Sequence, residues 1–110
     1  DHLKKEARAD LASAVARHAA TLGVRPTAIR LKDTTSRWGS ASARGVLAFS
    51  WRLIMAPPFV LDYVAAHEVA HLKEMNHSDR FWTICERICP ATEAAKDWLK
   101  KNGAGLHRLP

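Results

Sequence analysis

Hydrophobic positions recur with a helical period at the start of the chain. Apolar residues and one histidine share a face there: Leu3, Ala7, Leu11, Ala14, Val15, His18 and Leu22. This spacing predicts an amphipathic helix over residues 2–22, ended by a cap at Gly23 and followed by Pro26. A histidine on such an apolar face is expected to be a hydrogen-bonded core residue rather than a metal ligand.

Between residues 28 and 50 the pattern of hydrophobic and polar positions becomes that of short strands, whose side chains alternate between two faces. Residues 28–33 alternate as a strand with one solvated face. Trp38 and Gly39 begin a second strand after a turn region at 34–36, and residues 45–50 form a third. Residues 51–55 either extend the third strand or form another. The pattern therefore predicts a small sheet of three or four strands, mostly antiparallel.

Three helices are predicted after the sheet. Residues 57–58 are both proline and suit a helix start, and the apolar stretch behind them carries this helix to about Glu74. A second helix is capped by Ser78 and ended by Pro90. The last helix covers residues 91–102, with its cap at the next glycine. The predicted fold class is therefore α+β: an N-terminal helix, a small sheet, a central helix and two C-terminal helices.

The central helix carries the candidate chemistry. It contains His67-Glu68-Val69-Ala70-His71, the HExxH pattern. The two histidines lie one turn apart on one face of a helix, so their imidazoles can bind a single ion. Glu68 is rotated by about 100° from His67 around the helix axis and misses that ion. It can instead reach a water beside the ion and act as general base.

A catalytic zinc site needs three protein ligands and one open position, and His77 is the natural third ligand. The spacing HExxHxxxxxH is that of the metzincins, but their pattern has Gly where this chain has Glu74. The chain is therefore not assigned to that group, and Asn76 is expected to take the left-handed conformation of the turn. Glu93 and Asp97 form a rival downstream ligand pattern, although an ion-paired helix surface explains them adequately.

The histidines can also be interpreted as packed core residues. Two imidazoles and a carboxylate inside an almost wholly apolar helix are costly to bury without partners, however. The preferred interpretation is one zinc ion per chain, bound by His67, His71 and His77. Two nearby residues have open roles. Tyr63 either packs or donates a hydrogen bond to a developing oxyanion. Asp79 either supports a ligand imidazole or serves as an acidic residue at a helix N-terminus.

Four segments stand out together: SRWGS at 36–40, GVLAFSWRL at 45–53, DYV with HEVAH at 62–71, and NHS with FW at 76–82. They resemble the YgjP-like metallopeptidases, metal-dependent hydrolases akin to the SprT-like proteins. Members usually carry Cys where this chain has Ala41. The resemblance implies a zincin-like fold in which the three histidines are ligands and Glu68 is the base. It also implies a strand that holds substrate in extended form, for which residues 38–41 and 46–50 are the candidates.

Composition is that of a globular domain, and one domain over residues 1–110 is expected. Residues 1–55 hold ten Lys and Arg against four Asp and Glu, whereas residues 56–110 hold seven of each. The basic half can attract nucleic acid or phosphates, or it can be an ordinary solvated face. Because no base-reading motif accompanies the charge, at most weak binding to nucleic acid is expected.

No apolar run approaches the length of a membrane span, and no signal peptide is recognisable. Cys85 and Cys89 lack the spacing of a CxxC pair and are expected to be free and buried, which fits a cytoplasmic protein. Since the chain begins at Asp1 without Met, it is expected to be the C-terminal catalytic part of a longer protein.

The predicted function is zinc-dependent hydrolysis of peptide bonds in a peptide or protein substrate. Three alternatives stay open. The resemblance extends to nucleoside triphosphate pyrophosphatases, and the arginines could hold phosphates, but no Walker-type loop is present. It also extends to DNA-associated SprT-like proteases. A non-catalytic zinc-stapled docking domain is disfavoured by Glu68, because a structural site has no need of that carboxylate.

Overall fold

The computed structural model describes residues 2–34 and 37–108, and within them four α-helices pack around a three-stranded sheet. The elements are α1 (His2–Leu22), β1 (Ala28–Lys32), β2 (Gly39–Ala41), β3 (Val46–Ser50), a 3₁₀ helix (Trp51–Met55), α2 (Pro58–Ala70), α3 (Asp79–Ile88) and α4 (Thr92–Arg108). The predicted α+β class is confirmed. Thr35 and Ser36, which belong to the predicted turn and the SRWGS segment, lie outside the described residues. None of the described helices is long and apolar enough to cross a membrane.

The sheet is mixed, with strand order β1-β3-β2, instead of mostly antiparallel. β2 and β3 pair antiparallel because a tight turn joins them, in which Gly45 adopts a φ of +87° that favours glycine. β1 pairs parallel with the other edge of β3, from Ala28 opposite Val46 to Lys32 opposite Ser50. β3 is therefore the central strand, and β2 is an edge strand.

The segment after β3 forms a 3₁₀ helix and not a strand. Ser50 begins it, since its hydroxyl accepts the backbone N–H of Arg52 at 3.3 Å. The Arg52 guanidinium is buried, donating to Asp33 at 3.0 Å and to the Leu106 carbonyl at 3.3 Å. Because these partners lie far away in the sequence, the local pattern of residues 51–55 does not predict the 3₁₀ helix.

One continuous core joins the sheet to the helices, and α2 runs through its middle. α1 packs its apolar face against α2, as the helical period predicts. His18 is 5% exposed and contacts Asp62 of α2 at 3.0 Å, so it is the hydrogen-bonded core histidine that its position predicts. Cys85 and Cys89 are free and buried, also as predicted.

The last helix continues past its predicted end near Gly103 to Arg108. Gly103 is not a cap. It lies where a Cβ would be 3.3 Å from Nε1 of Trp38, so the absence of a side chain lets α4 approach that indole closely. His107 stacks on the same ring, with 3.8 Å between ring centroids. α4 thus holds Trp38, the residue that precedes β2.

Candidate metal centre

Helix α2 positions the two histidines of the HExxH motif. It begins with Pro58 in its first turn and ends at Ala70, earlier than the predicted end near Glu74, with His71 as its C-cap. The chain then leaves through tight backbone bonds, Leu72 N–H to Val69 O at 2.9 Å and the next N–H to Ala70 O at 3.0 Å.

This exit needs no left-handed residue. No non-glycine residue of the described ranges has a positive φ, so the expectation that Asn76 adopts one is wrong. The two successive turn-type bonds redirect the chain instead, and His77 lies back over the helix.

The three predicted ligand histidines converge on one point. His77 Nε2 lies 3.2 Å from His67 Nε2 and 3.1 Å from His71 Nε2. Two nitrogens that bind one tetrahedral zinc ion at roughly 2.0–2.1 Å are about 3.3 Å apart. These two separations fit such an ion, and the three ligand nitrogens all lie within 4.8 Å of one another. Among the described residues this is the one group of three His, Cys, Asp or Glu side chains close enough to share a metal.

Hydrogen bonds behind two of the imidazoles set their tautomers. His71 Nδ1 is 3.2 Å from the Glu74 carbonyl, which can only accept, so Nδ1 carries the proton and Nε2 presents its lone pair. His67 Nδ1 is 3.0 Å from the Tyr63 hydroxyl, whose oxygen can accept a hydrogen bond from an Nδ1–H in the same way. Burial lowers the pKa of His67 to about 3, and neighbouring His71 and His77 act in the same direction. Burial also lowers the pKa of His71. Both rings are thus neutral, the form that binds metal.

Helix α3 packs aromatic rings against the histidines. Ser78 begins the helix as predicted, its hydroxyl accepting the Phe81 N–H at 3.3 Å. Phe81 is 0% exposed, and its ring centroid lies 4.9 Å from that of His67, 4.4 Å from that of His71 and 5.0 Å from that of His77. One buried ring therefore orients all three imidazoles.

Glu68 projects from α2 toward the edge strand β2. It is 5% exposed, and a Cβ placed on Gly39 would lie 2.9 Å from its Oε2 and 3.0 Å from its Cγ. Burial raises the pKa of Glu68 to about 7, while the charge of Arg37 acts in the opposite direction. Gly39 belongs to the candidate substrate strand 38–41, but its contact with Glu68 was not predicted. Its one signal is a glycine at a strand position, which marks close approach of another group.

β2 and the histidines line a common cleft of about 230 Å³ that also includes Glu68 and Arg37. Ser50 N–H donates to Trp38 O at 2.9 Å, and Ser42 N–H donates to Val46 O at 3.0 Å. Because pairing alternates along an antiparallel strand, the N–H and C=O groups of Gly39 and Ala41 point to the free edge. The other candidate for a substrate strand, residues 46–50, is paired on both sides.

The remaining predicted residues lie around this centre. Asp79 is an exposed acid in the first turn of α3 and makes no hydrogen bond to an imidazole within the described part of the chain. This position matches the helix N-terminal interpretation. Glu93 contacts Lys96 at 3.5 Å and Asp97 contacts Lys101 at 3.1 Å, both pairs on the surface of α4. Neither acid belongs to the histidine cluster.

Three converging imidazoles, a buried carboxylate beside them on α2 and an open edge strand define the class of a metal-dependent hydrolase. A family model described as YgjP-like, metallopeptidase domain, matches residues 1–102. The chain belongs to the YgjP-like metallopeptidase family, and it is a hydrolase of the metal-dependent peptidase type. No curated protein matches the sequence.

A solved structure shares the fold, that of the metallopeptidase zymogen of Pyrococcus abyssi abylysin. The TM-score is 0.72 at 22% sequence identity, and the match covers 89% of this chain and 96% of that one. At this identity the likeness shows the fold alone. The shared fold covers nearly the whole of both chains.

Proposed function

We propose that the protein hydrolyses peptide bonds with one zinc ion held by His67, His71 and His77 and with Glu68 as general base. The observation that carries this proposal is the convergence of three Nε2 atoms, two pairs of them 3.1 and 3.2 Å apart, beside a buried carboxylate. A zinc ion held there supplies a Lewis acid that activates water and polarises a carbonyl.

Glu68 moves the proton in this mechanism. Its carboxylate accepts a proton from the attacking water, whose oxygen forms the new bond to the carbonyl carbon. When the carbon–nitrogen bond breaks, Glu68 gives that proton to the departing amine. The position next to His67 keeps this carboxylate off the ligand face of α2 while leaving it in the same cleft.

Tyr63 acts as a positioning residue for His67. Burial raises the pKa of the Tyr63 hydroxyl, so this group stays protonated. Its oxygen lies 3.0 Å from His67 Nδ1. Such a partner fixes the tautomer and orientation of a ligand imidazole. The hydroxyl is buried behind the ligand, which favours this role over contact with an oxyanion.

The substrate backbone pairs with the free edge of β2. Gly39 and Ala41 offer two N–H and two C=O groups there, and the edge borders the cleft that contains the histidines and Glu68. An extended peptide added to this edge gains main-chain hydrogen bonds that do not depend on its sequence. The scissile carbonyl then lies beside the metal ligands.

Replacement of Glu68 by Gln tests the mechanism. Glu68→Gln keeps the size of the side chain but cannot accept a proton, so zinc content and melting temperature should match the wild type. Turnover should fall by roughly 10²–10⁴-fold, the range for loss of a general base. A mixture of peptides cleaved and read by mass spectrometry supplies the substrate, with nucleoside triphosphates as a second arm.

The possible results separate the alternatives. Undiminished turnover by zinc-loaded Glu68→Gln would sink the mechanism. Loss of zinc would show that Glu68 supports the ion. Cleavage of nucleotides and not of peptides would replace the proposed substrate class.

A further inference from the structure

A second cleft adjoins the candidate metal centre. It has a volume of about 430 Å³ and lies against the turn between β2 and β3, residues 42–45. His71 and Met75 line both this cleft and the metal cleft, so the two are neighbours along the same edge of the protein. We call it the basic cleft.

Three cations surround the basic cleft, and none of its lining residues carries a carboxylate. They are Arg25, Arg44 and Lys73, which are all exposed. Within residues 2–34 and 37–108, the side chains of these three residues make no ion pair or hydrogen bond. Apolar side chains, among them Val24 and Leu72, line the same cleft. The lining therefore suits a ligand with an aliphatic stem and a negatively charged end.

The basic cleft lies on the path of an extended substrate. A peptide paired with Gly39 and Ala41 that continues beyond Ala41 runs past the β2–β3 turn, and each residue advances the chain by roughly 3.3 Å. The cleft is thus reached a few residues from the bond beside the histidines.

We infer that the basic cleft is a subsite for a carboxylate of the substrate, on one side of the scissile bond; this inference rests on the proposed peptidase function. The carboxylate can come from a Glu or Asp side chain or from the C-terminus of the peptide. Nucleic acid is a poorer fit, because its affinity comes from many phosphate contacts along a tract, whereas these three cations line a single open cleft.

Matched peptides test the subsite. One quenched fluorescent peptide series carries Glu, Gln or Lys at single positions on each side of the cleaved bond, with the C-terminus free or amidated. At one or two neighbouring positions on one side, Glu should raise kcat/KM of the zinc-loaded protein about tenfold over Gln, the combined effect of several exposed cations. If the C-terminal carboxylate of the peptide is the group that binds, the peptide with a free C-terminus should have a higher kcat/KM than the amidated peptide.

Variants link the preference to the cleft. Arg44→Gln and Lys73→Gln should each lower kcat/KM for the Glu peptide more than kcat/KM for the Gln peptide, and Arg44→Glu should favour the Lys peptide. Arg87→Gln removes an exposed cation of α3, outside the clefts, and should keep the preference. A preference that is unchanged in Arg44→Glu would overturn the inference.

A binding measurement separates this inference from the proposed function. Fluorescence anisotropy of the same peptides on zinc-loaded Glu68→Gln needs no turnover, so absence of peptide cleavage refutes the peptidase without deciding the subsite. Tighter binding of the Glu peptide than of the Gln peptide supports the subsite. Equal binding of both, or displacement of the Glu peptide by a tighter-binding single-stranded oligonucleotide at about 150 mM salt, refutes it.

Discussion

Gly39 is expected to set the position of Glu68, the proposed general base, although it contributes no side chain. In the variant Gly39→Ala, the new Cβ would lie 2.9 Å from Glu68 Oε2, 3.0 Å from its Cγ and 3.2 Å from its Cδ. The backbone permits alanine, because Gly39 is not among the glycines with positive φ. The whole carboxylate arm of Glu68 must therefore move away from β2.

The size of the effect follows from these distances. Restoring ordinary contacts requires a shift of about half an ångström or more. Productive geometry tolerates only about 0.5 Å, and a displacement near 1 Å can cost 10²-fold in rate. We expect kcat/KM of Gly39→Ala to fall on the order of 10- to 100-fold. Overpacking should also lower the free energy of unfolding by about 1–3 kcal/mol.

The assay combines kcat/KM, zinc content and melting temperature, measured well below the unfolding transition. Gly105→Ala is the matched control, since a Cβ there meets nothing within 4 Å. A double-mutant cycle supplies the specific evidence: in the Glu68→Gln background, Gly39→Ala should cause little further loss. Zinc-loaded Gly39→Ala with wild-type kcat/KM would refute the proposed contact between β2 and the base.

Three further predictions concern the ligands and the edge strand. His77→Ala should sharply reduce bound zinc, whereas Glu93→Ala should retain it; metal analysis of both variants decides between the two ligand assignments. Tyr63→Phe loses the hydroxyl beside His67 and should weaken zinc affinity by roughly 10- to 100-fold in a chelator competition; an unchanged affinity would show that the contact is packing alone. Ala41→Pro removes an outward N–H and should lower kcat/KM about tenfold, while Ala41→Ser keeps both the N–H and the activity; equal losses would argue against pairing at this edge.

Local pattern was sufficient to predict the elements whose stability is local. The first helix has the bounds that its apolar spacing predicts, His2–Leu22, and Gly23 with a φ of +70° caps it. The helix after Ser78 begins at its cap as expected. The three histidines also lie together as their spacing predicts, because two are one helical turn apart and the third follows a short turn.

Contacts between distant segments decided the features that the sequence did not reveal. β1 pairs parallel with β3, and nothing within residues 28–32 specifies a parallel partner. The 3₁₀ helix is held by Arg52, whose partners Asp33 and Leu106 lie on opposite sides of it in the chain. Gly103 resembled a helix cap in sequence but serves close packing against Trp38.

The charges beside the free edge of β2 oppose pairing of this strand with another copy of itself. An exposed strand edge can pair with a second copy of the same chain, and proteins limit this with short strands and charged residues. β2 has only three residues and is bracketed by the exposed cations Arg37 and Arg44. A second copy of this edge would bring the same positive charges and be repelled, whereas a peptide with a carboxylate would be attracted. The proposed substrate preference and the protection of the edge against self-pairing thus have one physical cause. Charge reversal at Arg44 should therefore change substrate choice and self-association together.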